Sequence, residues 1–122
     1  MAWDVAGNIK GPTGPQGGGF LRVGTAISST APAINTDNYD MFGLTAQTDD
    51  ITGFTMSGSP VDGQMLWIYI IGAHTCAVVW GDHFESGPVT LPGATTGIQR
   101  LDVGFVWNAS TSKWRCVAAG SG

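Results

Sequence analysis

Two histidines and two cysteines are the side chains of this sequence with the most versatile chemistry. His74 and Cys76 stand two positions apart, a spacing that would place both on one face of a strand. A cysteine nucleophile needs an accessible thiol of lowered pKa and a third group that orients the histidine, and the neighbouring residues provide no such context. Glu85 is the only glutamate, and the carboxylates form no recognisable catalytic pair. The sequence therefore predicts that the protein is not an enzyme.

One short run, Asp82, His83 and Glu85, combines residue types that bind metals. The run lacks the dense ligand spacing of a calcium loop. The sequence also has no CxxC motif and no histidine pair at zinc spacing. We therefore expect neither a metal nor a cofactor, and we interpret the run as a solvated turn.

Cys76 and Cys116 each lie within a stretch of apolar residues that reads as a strand. We expect two buried free thiols. A disulfide between them stays open at this point, because the sequence does not say whether the two strands are neighbours.

The composition of the chain excludes several classes of protein. The chain has 122 residues, 19 of them glycine, and only 11% are charged, which fits one domain and not a disordered chain. The longest apolar run, residues 65–71, is far shorter than the roughly 20 residues that span a bilayer. A net charge of -4 argues against nucleic acid as a partner. Neither membrane insertion nor nucleic-acid binding is expected.

The sequence from Phe20 onward is typical of short strands separated by turns. Residues 64–71 are apolar on both alternating faces, so we expect a central strand that is buried on both sides. Residues 75–80 have the same character and should form a hairpin with it. A second hairpin should pair residues 103–107 with residues 114–118 through a polar, turn-prone loop.

Weaker strands are predicted at residues 20–24, 41–46, 51–56, 89–91 and 98–101. Glycines and prolines separate these segments, and none has a convincing period of 3.6 residues. Strands at intervals of roughly 8 to 12 residues are typical of sandwiches and barrels. The fold class we predict is all-β, an antiparallel, jelly-roll-like β-sandwich.

Four tryptophans fall within the predicted strands. Trp67 and Trp80 are interpreted as core residues, because they lie in apolar strands. Trp107 and Trp114 flank one loop and should pack against each other across the hairpin. The alternative for this second pair is a platform on which a sugar stacks.

Residues 11–19 read GPTGPQGGG, with Gly11, Gly14 and Gly17 at every third position and Pro12 and Pro15 after the first two. A collagen triple helix needs this spacing, because only glycine fits at the crowded axis where three chains meet. The alternative is a flexible linker. So few triplets cannot hold three chains together without other contacts.

An ordered series of short motifs extends from about residue 20 to residue 119. The series is Ile34-Asn35-Thr36-Asp37-Asn38-Tyr39-Asp40, Leu44-Thr45-Ala46, Ile51-Thr52-Gly53-Phe54, Gly58-Ser59-Pro60, Asp62-Gly63-Gln64, Val79-Trp80-Gly81 with Phe84, Leu101-Asp102-Val103-Gly104-Phe105-Val106-Trp107, and Ser112-Lys113-Trp114-Arg115-Cys116-Val117-Ala118. In this order and spacing it resembles a module common at the C-terminal ends of phage tail fibre and minor tail proteins. Because such modules often follow collagen-like runs, the resemblance implies a homotrimeric head behind a short collagen-like neck.

The resemblance also implies a division of the chain into three parts. Residues 1–10 would be the tail end of a preceding module or a linker, residues 11–19 the neck, and residues 20–122 the head. The protein would belong to the virion tail and assemble in the bacterial cytoplasm, where disulfides are rare. This setting favours free thiols at Cys76 and Cys116.

The function implied by the resemblance is to trimerise the fibre and to contribute to recognition of the host surface, through a glycan or a protein receptor. His74, Asp82 and His83 replace residues that in relatives are more often small or polar, so these loop positions are our candidate receptor contacts. Two alternatives stay open. One is a purely structural trimerisation and folding clamp, and the other is the head of a bacterial collagen-like surface protein of the C1q or tumour-necrosis-factor type.

Overall fold

A computed structural model describes residues 21–122. The expectations for the earlier part of the chain, including the neck glycines and prolines at positions 11, 12, 14, 15 and 17, lie outside the described residues. The described part is all-β, as predicted, and contains no helix that could span a membrane. Its strands are β1 (Val23–Ala26), β2 (Ala33–Asn35), β3 (Met41–Gln47), β4 (Thr55–Ser57), β5 (Met65–Gly72), β6 (Phe84–Ser86), β7 (Arg100–Asn108) and β8 (Lys113–Ser121).

Six of these strands form the main sheet, in the order β1-β3-β5-β7-β8-β6. β1, β3 and β5 run parallel to one another, β7 is antiparallel to both β5 and β8, and β6 is parallel to β8. β2 and β4 form a separate parallel pair. The antiparallel pairing predicted from the sequence is therefore correct for β5, β7 and β8 and wrong for the other pairs.

The parallel pairs β1–β3, β3–β5 and β2–β4 arise because the chain follows the same course three times. β2 lies on the connection from β1 to β3, and β4 on the connection from β3 to β5, so each crossover returns the chain to the same end of the sheet. Backbone hydrogen bonds also join the three passes to one another outside the named strands. The N–H of Thr52 donates to the carbonyl of Thr30 at 2.8 Å, and the N–H of Val79 donates to that of Ile51 at 2.9 Å.

The hairpin predicted between residues 64–71 and 75–80 is wrong. β5 pairs with β3 on one side and β7 on the other, so neither edge is free for the segment that follows. Residues 75–80 instead leave the sheet and form isolated bridges, one of them between Ile51 and Val78. The second predicted hairpin is confirmed as β7 and β8.

Several weaker predictions shift in their boundaries. The strand predicted at residues 41–46 is confirmed as β3, and that at 98–101 is the start of β7. Residues 51–56 contribute only their end to β4, and residues 89–91 form no strand. β2 and β6 were not predicted, because three-residue strands carry too little alternation to stand out in a sequence.

The core fills the space between the inner face of the main sheet and the segments that cross over it. Its centre is an aromatic cluster in which Phe54 stacks on Trp80, with ring centroids 4.9 Å apart and planes 6° apart. Phe84 and Phe105 meet Trp80 nearly edge to face at 5.2 and 5.3 Å. Trp80 is a core residue, as predicted, and its indole N–H donates to the carbonyl of Pro92 at 2.7 Å.

Candidate functional site

A small cleft opens where the ends of β2 and β4 meet the β7–β8 hairpin. Its volume is about 110 Å³. One wall is formed by Trp107 and Trp114, and the others by Thr36, Met56, Ser57, Gly58 and Pro60, with His83 beside them. We call this site the tryptophan cleft.

The tryptophan wall follows from the register of the β7–β8 hairpin. Trp107 and Trp114 lie directly opposite each other, and their rings meet edge to face with centroids 5.1 Å apart and planes at 64°. The predicted packing of this pair is confirmed. Trp114 is 2% exposed, whereas Trp107 is only half-buried.

The opposite wall is held in place by Thr36, which follows β2. Its backbone N–H and its side-chain hydroxyl both donate to the carbonyl of Ser57, at 3.0 and 3.1 Å. The side-chain amide of Gln64, just before β5, donates to the carbonyl of Thr36 at 3.1 Å. These bonds satisfy the buried threonine and fix the ends of β2 and β4 to the start of β5.

The three loop residues singled out from the sequence lie in two places. His83 lines the tryptophan cleft, and its carbonyl accepts the backbone N–H of Trp114 at 2.8 Å. Asp82 is its exposed neighbour. His74 is also exposed but follows the other end of β5, so the length of that strand, about 26 Å for eight residues, separates it from the cleft.

Both cysteines are buried and free, as predicted. Burial raises the pKa of the Cys76 thiol, and the charge of Asp50 raises it further. The ring Nδ1 of His74 lies 3.9 Å from the Cys76 sulfur. A raised pKa keeps the thiol protonated at neutral pH, which is the opposite of what a cysteine nucleophile needs.

The run of Asp82, His83 and Glu85 is not gathered around a common point. Glu85 instead accepts a hydrogen bond from the side-chain amide of Asn108 at 3.0 Å. Within residues 21–122, no group of three or more histidine, cysteine or carboxylate side chains is placed to hold a metal ion.

The second candidate surface is the side of the main sheet that faces away from the core. We call it the outer face. Half-buried or exposed apolar side chains cross it on four neighbouring strands: Val23 of β1, Met41 of β3, Met65, Trp67, Tyr69 and Ile71 of β5, and Val106 of β7. No other strand of the described chain covers this side.

Two rings lie flat on the outer face over glycines of neighbouring strands. Tyr69 lies over Gly43 of β3, and Trp67 lies over Gly104 of β7, where an added Cβ would come within 2.8 Å of the indole. The core position predicted for Trp67 is therefore wrong. The reason is that alternate residues of β5 point away from the core, and no second layer covers them within the described chain.

The two charges that β7 places on the outer face, Arg100 and Asp102, are paired with each other. The Arg100 guanidinium lies 3.9 Å above the ring of Tyr69, and its Nε donates to Asp102 at 2.8 Å. Such a stacked and paired arginine adds little net charge to the surface. On β1, β3, β5 and β7 the face therefore presents aromatic and aliphatic groups with one self-contained ion pair. Beyond them, the exposed Arg115 of β8 lies opposite Val106.

Comparisons with known proteins do not show a family for this chain. No family model matches the chain, and no curated protein matches it. Among solved structures, a chain described as "Structure of a chaperone-substrate complex" matches with 8% identity and a TM-score of 0.42, over 84% of this chain and 18% of that chain. This chain thus spans under a fifth of that one, and a likeness this weak carries no argument about fold or function.

Proposed function

We propose that this chain is the C-terminal domain of a phage tail fibre or minor tail protein, which trimerises the fibre and contributes to recognition of the host cell surface. The observation that carries the proposal is the outer face. Exposed apolar patches that continue over several strands are typical of interaction surfaces. Here the patch crosses four neighbouring strands, and Met65 and Val23 on it are 52% and 51% exposed.

The occupants we assign to the outer face are two further copies of the same chain. Val23 follows the glycine triplets of residues 11–19 closely in sequence and belongs both to the edge strand β1 and to the outer face. The glycine triplets at residues 11–19 suit a structure in which three chains run side by side. Three heads leaving such a neck would begin next to one another at β1, with their outer faces within reach.

Burial of the apolar patch on β1, β3, β5 and β7 would isolate neither of its two charges, Arg100 and Asp102. Arg100 keeps both Asp102 and the Tyr69 ring as partners, so it would not need new ones. Apolar burial would then drive the association, at about 25 cal/mol for each Å² removed from water.

The mass of the whole chain in solution tests the proposal. Light scattering coupled to gel filtration should give three times the 12.7 kDa of one chain. A mass of one chain at micromolar concentration would contradict the trimer.

A structural clamp is the second candidate, because it would use the same outer face. The tryptophan cleft favours a role in recognition. Trp107 continues the inward-facing row of Val103 and Phe105, so the cleft opens on the side of the sheet away from the outer face and would stay accessible in a trimer. A labelled chain that neither binds bacterial cells nor blocks phage adsorption to them would favour the clamp.

A further inference from the structure

We propose that the tryptophan cleft binds one neutral sugar unit of a surface glycan. The inference rests on the proposed function, since it names the class of ligand through which the head would recognise a cell.

The walls of the cleft are apolar in the way that one face of a sugar ring is apolar. Half-buried Trp107 offers a broad aromatic surface, and half-buried Met56 and Pro60 lie across from it. Ligand sites combine such apolar walls with a few polar groups that fix orientation. A pyranose has both features, because its C–H groups can cover an indole while its hydroxyls point to the rim.

Free hydrogen-bonding groups stand beside these walls. The indole N–H of Trp114 donates to no oxygen or nitrogen of residues 21–122, although Trp114 is 2% exposed. By contrast, the buried Trp80 donates to a backbone carbonyl. Buried indoles usually find an acceptor. Ser57 and His83 also line the cleft, and neither the hydroxyl of Ser57 nor the imidazole of His83 has a hydrogen-bond partner within the described chain, which leaves these groups free for a ligand.

The cleft is close to neutral and small. Of the residues that line it, only His83 can carry a charge, so a carboxylated or phosphorylated sugar gains no fixed partner. The volume of about 110 Å³ is below the roughly 300 Å³ at which drug-sized sites begin. It therefore suits one ring of a longer chain. Three clefts on one trimer could bind a repetitive glycan together, so that weak single contacts add up.

The test follows the indole N–H signals of the ¹⁵N-labelled whole chain by NMR. The probes are methyl galactoside, methyl glucoside, methyl rhamnoside and methyl N-acetylglucosaminide, with glucuronate as the charged probe. At least one neutral glycoside should shift the signals of Trp107 and Trp114 at millimolar concentration and leave that of Trp67 in place. Glucuronate should shift them less at the same concentration.

Two pairs of variants locate the site. Trp107→Leu should abolish the shift of the Trp114 signal, whereas Trp67→Leu, which removes another half-buried tryptophan, should preserve it. His83→Ala should weaken binding about fivefold, as loss of one hydrogen bond predicts. His74→Ala, an exposed histidine at the far end of β5, should change nothing. This second pair keeps the test valid should Trp107→Leu fail to fold.

The proposal is overturned if no neutral glycoside shifts the Trp107 and Trp114 signals, if glucuronate shifts them most, or if the shifts survive in both cleft variants. These results are separate from those that test the proposed function. A trimer that binds cells but whose tryptophan signals do not shift with sugars would contradict the sugar site alone. If the chain has the mass of one copy but its tryptophan signals still shift with sugars, the trimeric fibre head is contradicted and the sugar site is supported.

Discussion

The ring of Tyr69 on β5 lies over the bare backbone of Gly43, its direct partner on β3. A Cβ at position 43 would overlap this ring. The glycine is thus what allows the tyrosine to lie flat on the outer face, with the Arg100 guanidinium above it. One small residue on β3 therefore determines the shape of the surface that we assign to trimer contacts.

Gly43→Ala should destabilise the protein by about 1–3 kcal/mol, the usual cost of forcing extra atoms into a packed site. Urea unfolding at fixed protein concentration measures the change. Gly53→Ala is the matched control, because an added Cβ there meets no atom within 4 Å. The packing of Tyr69 on Gly43 would be contradicted by equal stability of the two variants.

The tryptophan wall predicts an energetic coupling between its two rings. Trp107→Leu, Trp114→Leu and the double variant form a cycle whose coupling should be about 0.5–1.5 kcal/mol, as for other edge-to-face aromatic pairs. Trp67 with Trp114 is the control pair, since these rings lie on opposite faces of the sheet. That control should be additive within about 0.5 kcal/mol. Additivity for Trp107 with Trp114 would show that their contact contributes nothing.

The two thiols should resist modification in the native protein. Burial raises the pKa of both Cys76 and Cys116, so each stays a protonated, inaccessible thiol at neutral pH. Ellman's reagent should label neither residue in buffer and both in concentrated urea under nonreducing conditions. Fast labelling of either cysteine in buffer would show that its burial is wrong, and a single or absent label in urea would reveal a disulfide.

The ion pair beside β1 predicts a pH dependence of stability. Hydrogen bonds from the Arg22 guanidinium, with Nη2 at 2.9 Å, hold the pKa of Asp40 below its usual range. A lowered folded-state pKa gives stability above the unfolded value of about 3.9, and this stability is lost as pH falls through the folded value. Asp40→Asn should therefore be less stable than the parent at pH 7, and the gap should close in acid.

The control for this dependence is Asp82→Asn, which removes an exposed carboxylate that forms no ion pair within residues 21–122. Thermal unfolding at several pH values compares the three proteins. A gap between the parent and Asp40→Asn that stays constant down to pH 2 would mean that the ionised carboxylate is not what stabilises this edge.

Part of this fold could be predicted from the sequence because the information is local. The β7–β8 hairpin joins two alternating segments through a short polar loop, so its partner strands and the Trp107–Trp114 contact were accessible from the residues alone. The same holds for the buried positions of Cys76, Cys116 and Trp80, which stand among apolar neighbours.

The parallel crossover topology of the first five strands could not be predicted from local sequence patterns. Alternation of period two is the same in parallel and antiparallel strands, so residues 75–80 looked like the partner of β5 although they cross to another layer. Apolar residues on both faces of β5 likewise did not reveal that Trp67 and Tyr69 face outward. An apolar strand face has the same sequence pattern whether it packs against the core or against another subunit.

The tryptophan cleft was out of reach for a different reason. Its walls come from Thr36, Met56, His83 and Trp107, which the crossovers and the β7–β8 hairpin bring together from distant positions. Of these, the sequence singled out only His83 and the Trp107 pair, as unrelated features. These cleft residues come together only through the crossovers, which the sequence pattern does not reveal.

The outer face is the basis of the proposed trimeric head, and one exposed residue on it gives the most direct test. Met65 lies on the outer face and is 52% exposed, whereas Val79, which is 54% exposed, follows Val78 on the segment that covers the opposite side of the sheet. Met65→Glu would place a charge in the proposed interface at little cost to the isolated head. Val79→Glu would add the same charge elsewhere.

Light scattering on the whole chain and these two variants is therefore the decisive measurement. The parent and Val79→Glu should have three times the mass of one 12.7 kDa chain, and Met65→Glu should fall toward the mass of a single chain while keeping its β circular-dichroism spectrum. A trimer that Met65→Glu leaves intact would contradict the assignment of the outer face. A parent chain with the mass of one copy would contradict the trimeric head itself.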